Sequence, residues 1–422
     1  VKNFKMDKII ISGKSQLFGS IKVSGSKNAA LPILVSSILS EEDLIISNLP
    51  VLDDIKNMKK LLLEYGVNII EKKEHTIFNS KKLLNKEADY DIVRKMRASI
   101  LILGPLLSRL KRATISLPGG CAIGTRPIDF HLDGLSRLGA KFTIENGFVK
   151  AEAPNGLIGN NIDLSFPSVG ATENILMSAV LAKGETVINN AAKEPEIIDL
   201  AKCLKSMGSK ITGEGTEQIK INGVNKLNKT YHKIMSDRIV AGTYVIAAMI
   251  LNKEFIINNV DPSHLTSLVS LLKSMGGNLE INVNSILIKP SLKLKGAKVE
   301  TAPYPGFPTD LQAQVMTLMS IVNGNSQIKE NIFENRFMHV SELNRLGASI
   351  KVKKDTAYIR GNREFKGAQV MASDLRASVS LILAGLAATG KTIINRVYHL
   401  DRGYEKIEET LGKCGPNIKR QK

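Results

Sequence analysis

The stretch LSRLGAKF, residues 135–142, joins apolar residues at helical spacing to a glycine and then to a strand-like run. Five other stretches share this pattern: LLLEYGVNI (61–69), LKSMGSKI (204–211), LKSMGGNL (272–279), LNRLGASI (343–350) and LGKCGPNI (411–418). Their glycines recur at intervals of 68 to 73 residues. Glycine suits the end of a helix because it adopts a left-handed backbone at little cost. The recurrence predicts one structural unit repeated six times.

A second series of stretches lies upstream of these glycines. Each is almost continuously apolar over the length of a helix, which predicts buried helices, and a short β-branched run follows each one. The helical stretches are KNAALPILVSSILS (27–40), RKMRASILILGPLLS (94–108), ATENILMSAVLAKG (171–184), SDRIVAGTYVIAAMI (236–250), TDLQAQVMTLMSIVNG (309–324) and SDLRASVSLILAGLAATG (373–390). One such unit is too small to bury its own faces, so several must share a core.

The chain ends suggest how the units are grouped, although the repeat alone leaves both an open solenoid and closed rings possible. KIIISGKSQLFGSIKV (8–23) reads as a strand pair that precedes the first unit. This pair could complete the sheet of the sixth unit, so that the two ends meet. We therefore predict an α/β protein with one three-unit domain over 27–234 and a second over 1–26 and 235–422.

Bulk composition is typical of a globular protein, with 43% apolar and 23% charged residues. No stretch reaches the roughly 18 uninterrupted apolar residues that a membrane span needs. The opening VKNFKMDKII has no long apolar run, which predicts that it is not a signal peptide. Cys121, Cys203 and Cys414 are odd in number and far apart, so we expect no disulfide framework and a cytoplasmic location.

The net charge of +18 raises the alternative of a nucleic-acid-binding repeat protein. The lysines are scattered, however, and aromatic residues make up only 5% of the chain, with no tryptophan for base stacking. Lysines that solvate the surface explain these features best, and attraction of small anionic substrates is a weaker inference. A pure interaction solenoid, whose polar helix ends are merely caps, is a third alternative.

Cations occupy unexpected places at the starts of the buried stretches. Lys27, Arg97 and Arg376 lie near helix N-termini, where the helix dipole disfavours positive charge. This placement is reasonable if an anion binds between the cations and the helix end. Hydroxyl side chains at the same level are good N-caps, and we expect this role for Ser236, Thr309 and Ser373.

The loops before the second helices carry reactive side chains. Cys121 lies in the glycine-rich GGCAIGTRPID (119–129) beside Arg126 and outside any apolar pattern, which makes its thiol a candidate acid or nucleophile. Cys203 and Cys414 lie in apolar patterns and are expected to be packing residues. Asp310 follows the proline-rich TAPYPGFPT (301–309) and is a candidate base.

Other patterns limit the chemistry. Lys27, Arg126 and Arg402 could clamp a phosphate. There is no P-loop or dinucleotide-binding motif, and the spacing of cysteines and histidines does not predict a metal site. Repeated units packed in a ring bring their equivalent ends together. The cations, Cys121 and Asp310 named above could therefore line one cleft.

Eight motifs resemble those of the UDP-N-acetylglucosamine 1-carboxyvinyltransferases, a family of enolpyruvyl transferases. In order they are SGSKNAALP (24–32), MRAS (96–99), LPGGCAIGTRPID (117–129), SVGATEN (168–174), FPTDLQAQ (307–314), FENRFMHV (333–340), SDLRAS (373–378) and HLDRGYE (399–405). The likeness runs over essentially the whole chain.

The resemblance implies two inside-out α/β barrel-like domains of three units each, with the active site in the cleft between them. It implies transfer of the enolpyruvyl group of phosphoenolpyruvate to the 3′-hydroxyl of UDP-N-acetylglucosamine, with release of phosphate. This reaction opens peptidoglycan synthesis and so serves cell-wall biogenesis, cell shape and division. The resemblance further implies a monomer or weak oligomer with no metal, no organic cofactor, no nucleic-acid partner and no membrane span.

Roles for individual residues also follow from the resemblance. Cys121 would deliver a proton to C3 of phosphoenolpyruvate and would be the group that fosfomycin alkylates, and Asp310 would take the proton of the sugar hydroxyl. Lys27, Arg126 and Arg402 would hold phosphoenolpyruvate, and Asp374 and Arg376 would support the cleft. The residues expected to contact the UDP-sugar or shape its site are Asn28, Arg97, Arg126, Pro127, Ile128, Asp129, Val169, Gly170, Ile332 and Arg336.

The chain departs from the family pattern at Phe166, because some members carry a lysine two positions before the serine of SVGATEN. The substrate contact that this lysine makes in those members is therefore not expected in the same form in this chain. The shikimate-pathway enolpyruvyl transferases share the architecture and remain an alternative. The cysteine-bearing loop and FENRFMH argue against them.

Overall fold

The computed structural model of the chain describes residues 7–88, 90–94, 96–117 and 128–421. These residues form two compact units. The first unit comprises the described residues of 25–235, and the second comprises 7–24 with 236–421. Each unit has its own hydrophobic core. The folding domains at 27–234 and at 1–26 with 235–422 stay a prediction.

The chain begins with two strands of the second unit, β1 (Lys8–Ser12) and β2 (Ser20–Lys22). The strands of the first unit are β3 (Leu44–Ser47), β4 (Asn68–Glu71), β5 (His75–Asn79), β6 (Arg112–Ser116), β7 (Lys141–Glu145), β8 (Phe148–Glu152), β9 (Asn161–Asp163), β10 (Glu185–Asn189), β11 (Lys210–Thr212), β12 (Gln218–Asn222) and β13 (Thr230–Lys233). Its α-helices are α1 (Lys27–Ser36), α2 (Asp53–Glu64), α3 (Tyr90–Val93), α4 (Leu103–Leu110), α5 (Asp129–Arg137), α6 (Val169–Ala179) and α7 (Pro195–Ser206). Its 3-10 helices are Ser37–Leu39 and Arg97–Ile102.

The remaining elements complete the second unit. Its further strands are β14 (Phe255–Asn258), β15 (Asn278–Ile281), β16 (Ser285–Lys289), β17 (Lys298–Glu300), β18 (Asn325–Lys329), β19 (Ile350–Lys353), β20 (Thr356–Arg360), β21 (Gln369–Met371), β22 (Lys391–Asn395) and β23 (Ile418–Gln421). Its α-helices are α8 (Arg238–Leu251), α9 (Thr266–Ser274), α10 (Gln312–Ile321), α11 (Val340–Arg345), α12 (Leu375–Ala387) and α13 (Ile407–Gly412). Its 3-10 helices are Pro262–Leu265, Thr309–Leu311 and Val397–Arg402.

One strand order recurs among the sheets of the described residues. The first unit has sheets β13-β3-β5-β4, β9-β10-β12-β11 and β6-β8-β7, and the second has β2-β14-β16-β15, β17-β18-β20-β19 and β21-β22-β1-β23. In every four-stranded sheet, the first strand of the order lies at the edge and runs parallel to the second. The second, third and fourth strands then pair antiparallel in succession. The sheet of β6 has the antiparallel part of this order.

The N-terminal strands join two different sheets. As predicted, β1 completes the last sheet, where it lies antiparallel between β22 and β23. The prediction that β1 and β2 form a pair was wrong, because β2 lies parallel to β14 in another sheet. Two neighbouring strand patterns do not reveal whether the strands pair with each other, since tertiary packing selects the partner.

The apolar stretches form buried helices, as their pattern predicts. In the second unit α8, α10 and α12 contact one another. The stretch 94–108 differs from the expected single helix: a 3-10 helix, Arg97–Ile102, precedes α4. Pro105 explains the break. In an α-helix its ring would clash with the carbonyl of Leu101, four residues earlier, and its nitrogen has no N–H to donate to that carbonyl.

The six repeat glycines all have a left-handed backbone, with φ between 83° and 118°. Each follows one of the amphipathic helices α2, α5, α7, α9, α11 and α13 within three residues. The helix-ending role predicted for these glycines is therefore confirmed.

Candidate active site

Asp310 lies between two arginines in the second unit. One carboxylate oxygen, Oδ1, accepts a hydrogen bond from Arg336 Nη2 at 2.6 Å, and Oδ2 accepts one from Arg376 Nη2 at 2.8 Å. Both arginine side chains are 5% exposed, whereas that of Asp310 is 27% exposed. Buried guanidinium groups require such partners, because an uncompensated buried charge is costly. The carboxylate is thus held in one orientation while part of it still faces solvent.

Arg376 has a second set of contacts at the start of α12. Its guanidinium donates to the Tyr404 hydroxyl at 3.4 Å and lies over the Tyr404 ring, 5.9 Å from the centroid. Burial lowers the pKa of Arg376, but the negative charges around it, Asp310 first, outweigh burial and raise the pKa above its ordinary value. Arg376 therefore stays charged in its buried position.

A buried polar chain connects Tyr404 back to the Asp310 segment. The hydroxyls of Tyr404 and Thr243 are 2.9 Å apart, and Gln314 Nε2 donates to Thr243 Oγ1 at 3.2 Å and to the backbone oxygen of Asp310 at 2.9 Å. Thr243 lies on α8, Gln314 on α10 and Tyr404 in the segment between the 3-10 helix Val397–Arg402 and α13. The chain therefore ties the HLDRGYE segment to α8 and α10.

Carboxylates rather than hydroxyls cap two of the buried helices. Asp237 Oδ1 accepts from the backbone N–H of Ile239 and Val240, and Asp374 Oδ1 accepts from that of Arg376 and Ala377. The expected caps Ser236 and Ser373 were therefore assigned one residue too early. Thr309 is not a cap either, since its hydroxyl donates to Glu330 Oε2. A carboxylate one residue nearer the helix reaches two N–H groups and displaces the hydroxyl.

Lys27, the first residue of α1 in the first unit, has an acidic partner. Its ammonium nitrogen lies 3.6 Å from Oδ2 of Asp54, and the two side chains are 13% and 3% exposed. Asp54 lies in the first turn of α2, where the helix dipole favours negative charge. The sequence patterns did not single out Asp54, although VLDDI (51–55) is the acidic start of an amphipathic helix.

A second cluster in the first unit contains His131. Asn174 Oδ1 accepts from the Gly104 N–H, so Asn174 Nδ2 donates to His131 Nδ1 at 3.1 Å. The histidine proton must then be on Nε2. Burial, with help from the charge of Arg97, lowers the pKa of His131 to about 3. The ring packs against Gly170, where an added Cβ would lie 3.2 Å from His131 Cε1.

Other residues proposed from the sequence begin helices of the first unit. Asn28 follows Lys27 in α1, Arg97 starts the 3-10 helix before α4, and Asp129 starts α5 directly after the buried Ile128. Val169 and Gly170 start α6, whose cap is Ser168. These residues thus lie at helix starts, where the repeat pattern predicted them.

Three buried acids form a group that the sequence patterns missed. Glu173 on α6 is buried near Glu194 and Glu196 at the start of α7. Burial raises the pKa of Glu173 well above its ordinary value, and the charges of Glu196 and Glu194 raise it further. The neutral form of the Glu173 carboxyl group is therefore favoured in this buried position. KEPEI (193–197) was the available signal, as a loop of unusual composition.

Arg402 ends the 3-10 helix Val397–Arg402. Burial and then the charge of Arg402 lower the pKa of His399 in the same helix. The preceding Asp401 receives hydrogen bonds from Arg420 on β23, at 2.8 Å and 2.5 Å. Arg402 is thus carried on a segment that is anchored to the C-terminal strand.

Ile332 lines a surface pocket of about 400 Å³ in the second unit, together with Phe333 and Lys354. Cys121, Arg126 and Pro127 lie outside the described residues. Of the predicted site, the structure brings together Asp310, Arg336 and Arg376 in the second unit. Lys27, Asn28, Arg97, Asp129, Val169 and Gly170 belong to the first unit.

Comparison with known proteins gives one consistent family. A family model described as EPSP synthase (3-phosphoshikimate 1-carboxyvinyltransferase) matches residues 11–411. The UDP-N-acetylglucosamine 1-carboxyvinyltransferase of Gluconacetobacter diazotrophicus is 52% identical over 98% of this chain and 99% of its own length. The protein of the same name from Pelagibacter ubique is 51% identical over 98% of this chain and 100% of its own length.

This chain belongs to the UDP-N-acetylglucosamine 1-carboxyvinyltransferase family.

Solved structures show that the fold is that of the enolpyruvyl transferases. The enolpyruvyl transferase NikO from Streptomyces tendae superposes with a TM-score of 0.90 at 23% identity, over 99% of both chains. EPSP synthase from Acinetobacter baumannii superposes with a TM-score of 0.77 at 19% identity, over 99% of this chain and 100% of its own. The mixed α/β class predicted from the repeat is thereby confirmed.

Two further findings concern this enolpyruvyl transferase as a whole. Cys203 and Cys414 are buried and unbonded to another sulfur, and burial raises the pKa of both thiols, which agrees with their predicted packing role. Within the described part of the chain, no helix is both long enough and apolar enough to cross a bilayer.

Proposed function

We propose that this chain transfers the enolpyruvyl group of phosphoenolpyruvate to the 3′-hydroxyl of UDP-N-acetylglucosamine and releases phosphate, the step that opens peptidoglycan synthesis. The observation that carries this proposal is Asp310, a partly exposed carboxylate held by the buried Arg336 and Arg376. The two arginines orient a carboxylate that is partly open to solvent, and an oriented carboxylate is suited to accept a proton from a bound hydroxyl.

The proposed reaction is an addition followed by an elimination. The Cys121 thiol gives a proton to C3 of phosphoenolpyruvate, the sugar oxygen bonds to C2, and Asp310 accepts the hydroxyl proton. C3 then returns a proton to the Cys121 thiolate, the bond between C2 and the phosphate oxygen breaks, and the double bond is restored. The leaving phosphate takes up the proton held by Asp310, so both side chains return to their starting forms. Charge builds up on groups that preplaced cations stabilise.

The substrates are held by cations in this proposal. Lys27, Arg126 and Arg402 bind phosphoenolpyruvate, because ammonium and guanidinium groups pair with phosphate and carboxylate oxygens. Asp374 caps α12 and so supports Arg376 at the start of that helix. The UDP-sugar contacts Asn28, Arg97, Arg126, Pro127, Ile128, Asp129, Val169, Gly170, Ile332 and Arg336.

The finer architecture belongs to the same proposal. We infer two inside-out α/β barrel-like domains of three units, over 27–234 and over 1–26 with 235–422, with the substrates bound in the cleft between them. The recurring strand order and the mutual contacts of α8, α10 and α12 support the repeated unit. The proposed enzyme is cytoplasmic, acts without metal or organic cofactor, and is a monomer or weak oligomer.

Phosphate release from phosphoenolpyruvate, with and without UDP-N-acetylglucosamine, tests the proposed function. We expect release only when the UDP-sugar is present. Release that depends on shikimate 3-phosphate instead would favour the alternative enolpyruvyl transfer. Salt-sensitive binding of DNA or RNA that neither substrate displaces would favour the nucleic-acid-binding alternative.

Cys121 provides a test of the proposed acid. Cys121→Ser should lower turnover sharply and leave UDP-sugar binding largely intact, because a hydroxyl is a much weaker acid than a thiol. Cys121→Asp should keep activity while resisting fosfomycin, since a carboxyl group can still donate a proton. Full activity of the serine variant in the phosphate-release assay would contradict the proposed role.

A further inference from the structure

Glu330 is a buried carboxylate directly after β18 that accepts hydrogen bonds from four groups. Its Oε1 accepts from Thr301 Oγ1 at 2.9 Å, from the Ile332 N–H at 2.9 Å and from the Phe333 N–H at 3.2 Å. Its Oε2 accepts from Thr309 Oγ1 at 2.9 Å. The residue is only 5% exposed. Both oxygens of Glu330 therefore act as hydrogen-bond acceptors, and four donors converge on one side chain.

These donors lie on the two segments that carry the proposed catalytic residues. Thr309 directly precedes Asp310 in the 3-10 helix Thr309–Leu311. The N–H groups of Ile332 and Phe333 begin the segment that leads to Arg336. Glu330 is therefore the common acceptor of the segment that carries Asp310 and the segment that carries Arg336.

Arg336 closes this arrangement into a ring of contacts. Its Nη2 donates to Asp310 Oδ1 at 2.6 Å and lies 3.4 Å from the backbone oxygen of Thr309. The two segments are thus joined twice, once through Glu330 at their bases and once through the Asp310–Arg336 pair. Loss of the Glu330 contact would leave the pair intact, with Arg376 and Gln314 among the contacts that still hold the Asp310 segment, but it would remove the acceptor that the two segments share.

We propose that Glu330 is a positioning residue for enolpyruvyl transfer, and that it sets the place of Asp310 through the Thr309 hydroxyl and that of Arg336 through the N–H groups of Ile332 and Phe333. The inference rests on the proposed function, in which Asp310 takes the proton of the sugar hydroxyl. Small displacements of a base from the atom it serves have large kinetic effects, of about 100-fold for about 1 Å.

The first test removes only the Thr309 hydroxyl. Thr309→Val keeps the volume of the side chain and should lower kcat about 10- to 100-fold, with KM for both substrates changed by less than about 3-fold. Thr309→Ser restores the hydroxyl and should return kcat to within about 3-fold of wild type. A Thr309→Val enzyme with wild-type kcat would overturn the inference.

Thr317→Val is the matched control for lost stability. Thr317 Oγ1 is fully buried in α10 of the same unit and donates to the Ala313 carbonyl at 3.0 Å, with no contact to Asp310 or Glu330 among its hydrogen bonds. It should lower the melting temperature about as much as Thr309→Val while keeping kcat within about 2-fold of wild type. Equal loss of kcat in both valine variants would mean that Thr309 acts through stability alone.

A double variant tests whether Thr309 acts through Glu330. Glu330→Met removes both acceptor oxygens but keeps nearly the length of the side chain, and should lower kcat about 10- to 100-fold. Adding Thr309→Val should cost less than about 2-fold more, because both changes break the same contact. If the loss of kcat in the double variant equals the product of the two single losses, Thr309 does not act through Glu330, and the inference is overturned. A wild-type enzyme with no UDP-sugar-dependent phosphate release would instead refute the proposed function.

Discussion

Asp310 illustrates how much of the site depends on buried partners. Arg336 and Arg376 come from sequence positions 26 and 66 residues away, yet they bind separate oxygens of one carboxylate. Removal of either arginine would release one oxygen of Asp310 and change the orientation of the carboxylate. A base held in this way needs little reorganisation when the sugar hydroxyl approaches.

Lys27 and Arg376 also show what balances a cation at a helix N-terminus. Their sequence positions suggested a bound anion, and in the structure each has a carboxylate of its own unit as partner, Asp54 and Asp310. These carboxylates offset part of the unfavourable helix-dipole interaction.

The raised pKa of Glu173 leads to a prediction about pH and stability. A carboxyl group with a raised folded pKa contributes most to stability below its unfolded pKa of about 4.3, and this contribution is lost as the pH rises through the folded pKa. Glu173→Gln keeps the neutral form at every pH. We therefore expect the free energy of unfolding of Glu173→Gln to exceed that of wild type by more at pH 8 than at pH 5.

Urea unfolding at the two pH values measures this difference. Lys202→Gln, a change of an exposed residue on α7, serves as the control and should show no such pH-dependent gain. A Glu173→Gln protein that is less stable than wild type at pH 8 would show that the carboxyl is ionised and paired in the folded state.

At the scale of elements, the caps of the buried helices combine two roles. Asp237 and Asp374 satisfy backbone N–H groups of α8 and α12, and Asp374 lies two residues from Arg376. A carboxylate cap also interacts favourably with the helix dipole, which a serine cap does less strongly. The start of a buried helix is therefore a stable place from which to present a charged side chain.

The cap assignment predicts different costs for two neighbouring substitutions. Asp237→Ala should lower the free energy of unfolding by about 1–2 kcal/mol, because two N–H groups of α8 lose their acceptor. Ser236→Ala should cost less than about 0.5 kcal/mol, as is usual away from caps and cores. Urea titration of both variants measures the costs, and a larger cost for Ser236→Ala would place the cap at the serine.

At the scale of the whole molecule, β1 closes the last sheet of the second unit. Lys8 pairs with Gln421 on one side, and Ser12 pairs with Lys391 on the other. Ile9 and Ile11 of β1 are fully buried in the core of that unit. The unit is therefore assembled from segments more than 200 residues apart in the chain.

Ile11→Ala tests this closure. Truncation of a fully buried isoleucine should lower the free energy of unfolding by about 2–5 kcal/mol. Ile10→Ala on the opposite face, where Ile10 is partly exposed, should cost clearly less. Urea unfolding followed by amide hydrogen exchange of β22 and β23 measures both effects, and equal costs for the two variants would contradict the described packing of β1.

The sequence alone determined the features that depend on local order. The intervals of 68 to 73 residues, the left-handed glycines and the buried apolar helices were all readable, because backbone preference and hydrophobic pattern act over a few turns. The motifs around Lys27, Asp310 and Arg402 were readable for the same reason, since each is a short contiguous string.

Only the tertiary structure decided which groups meet. It paired β2 with β14, moved two caps by one residue, gave Lys27 the partner Asp54, and brought four donors from separate segments to Glu330. A hydrogen bond or ion pair depends on distance in space, and residues tens of positions apart leave no trace of that distance in their spacing. Such contacts therefore appear only once the helices and sheets have packed.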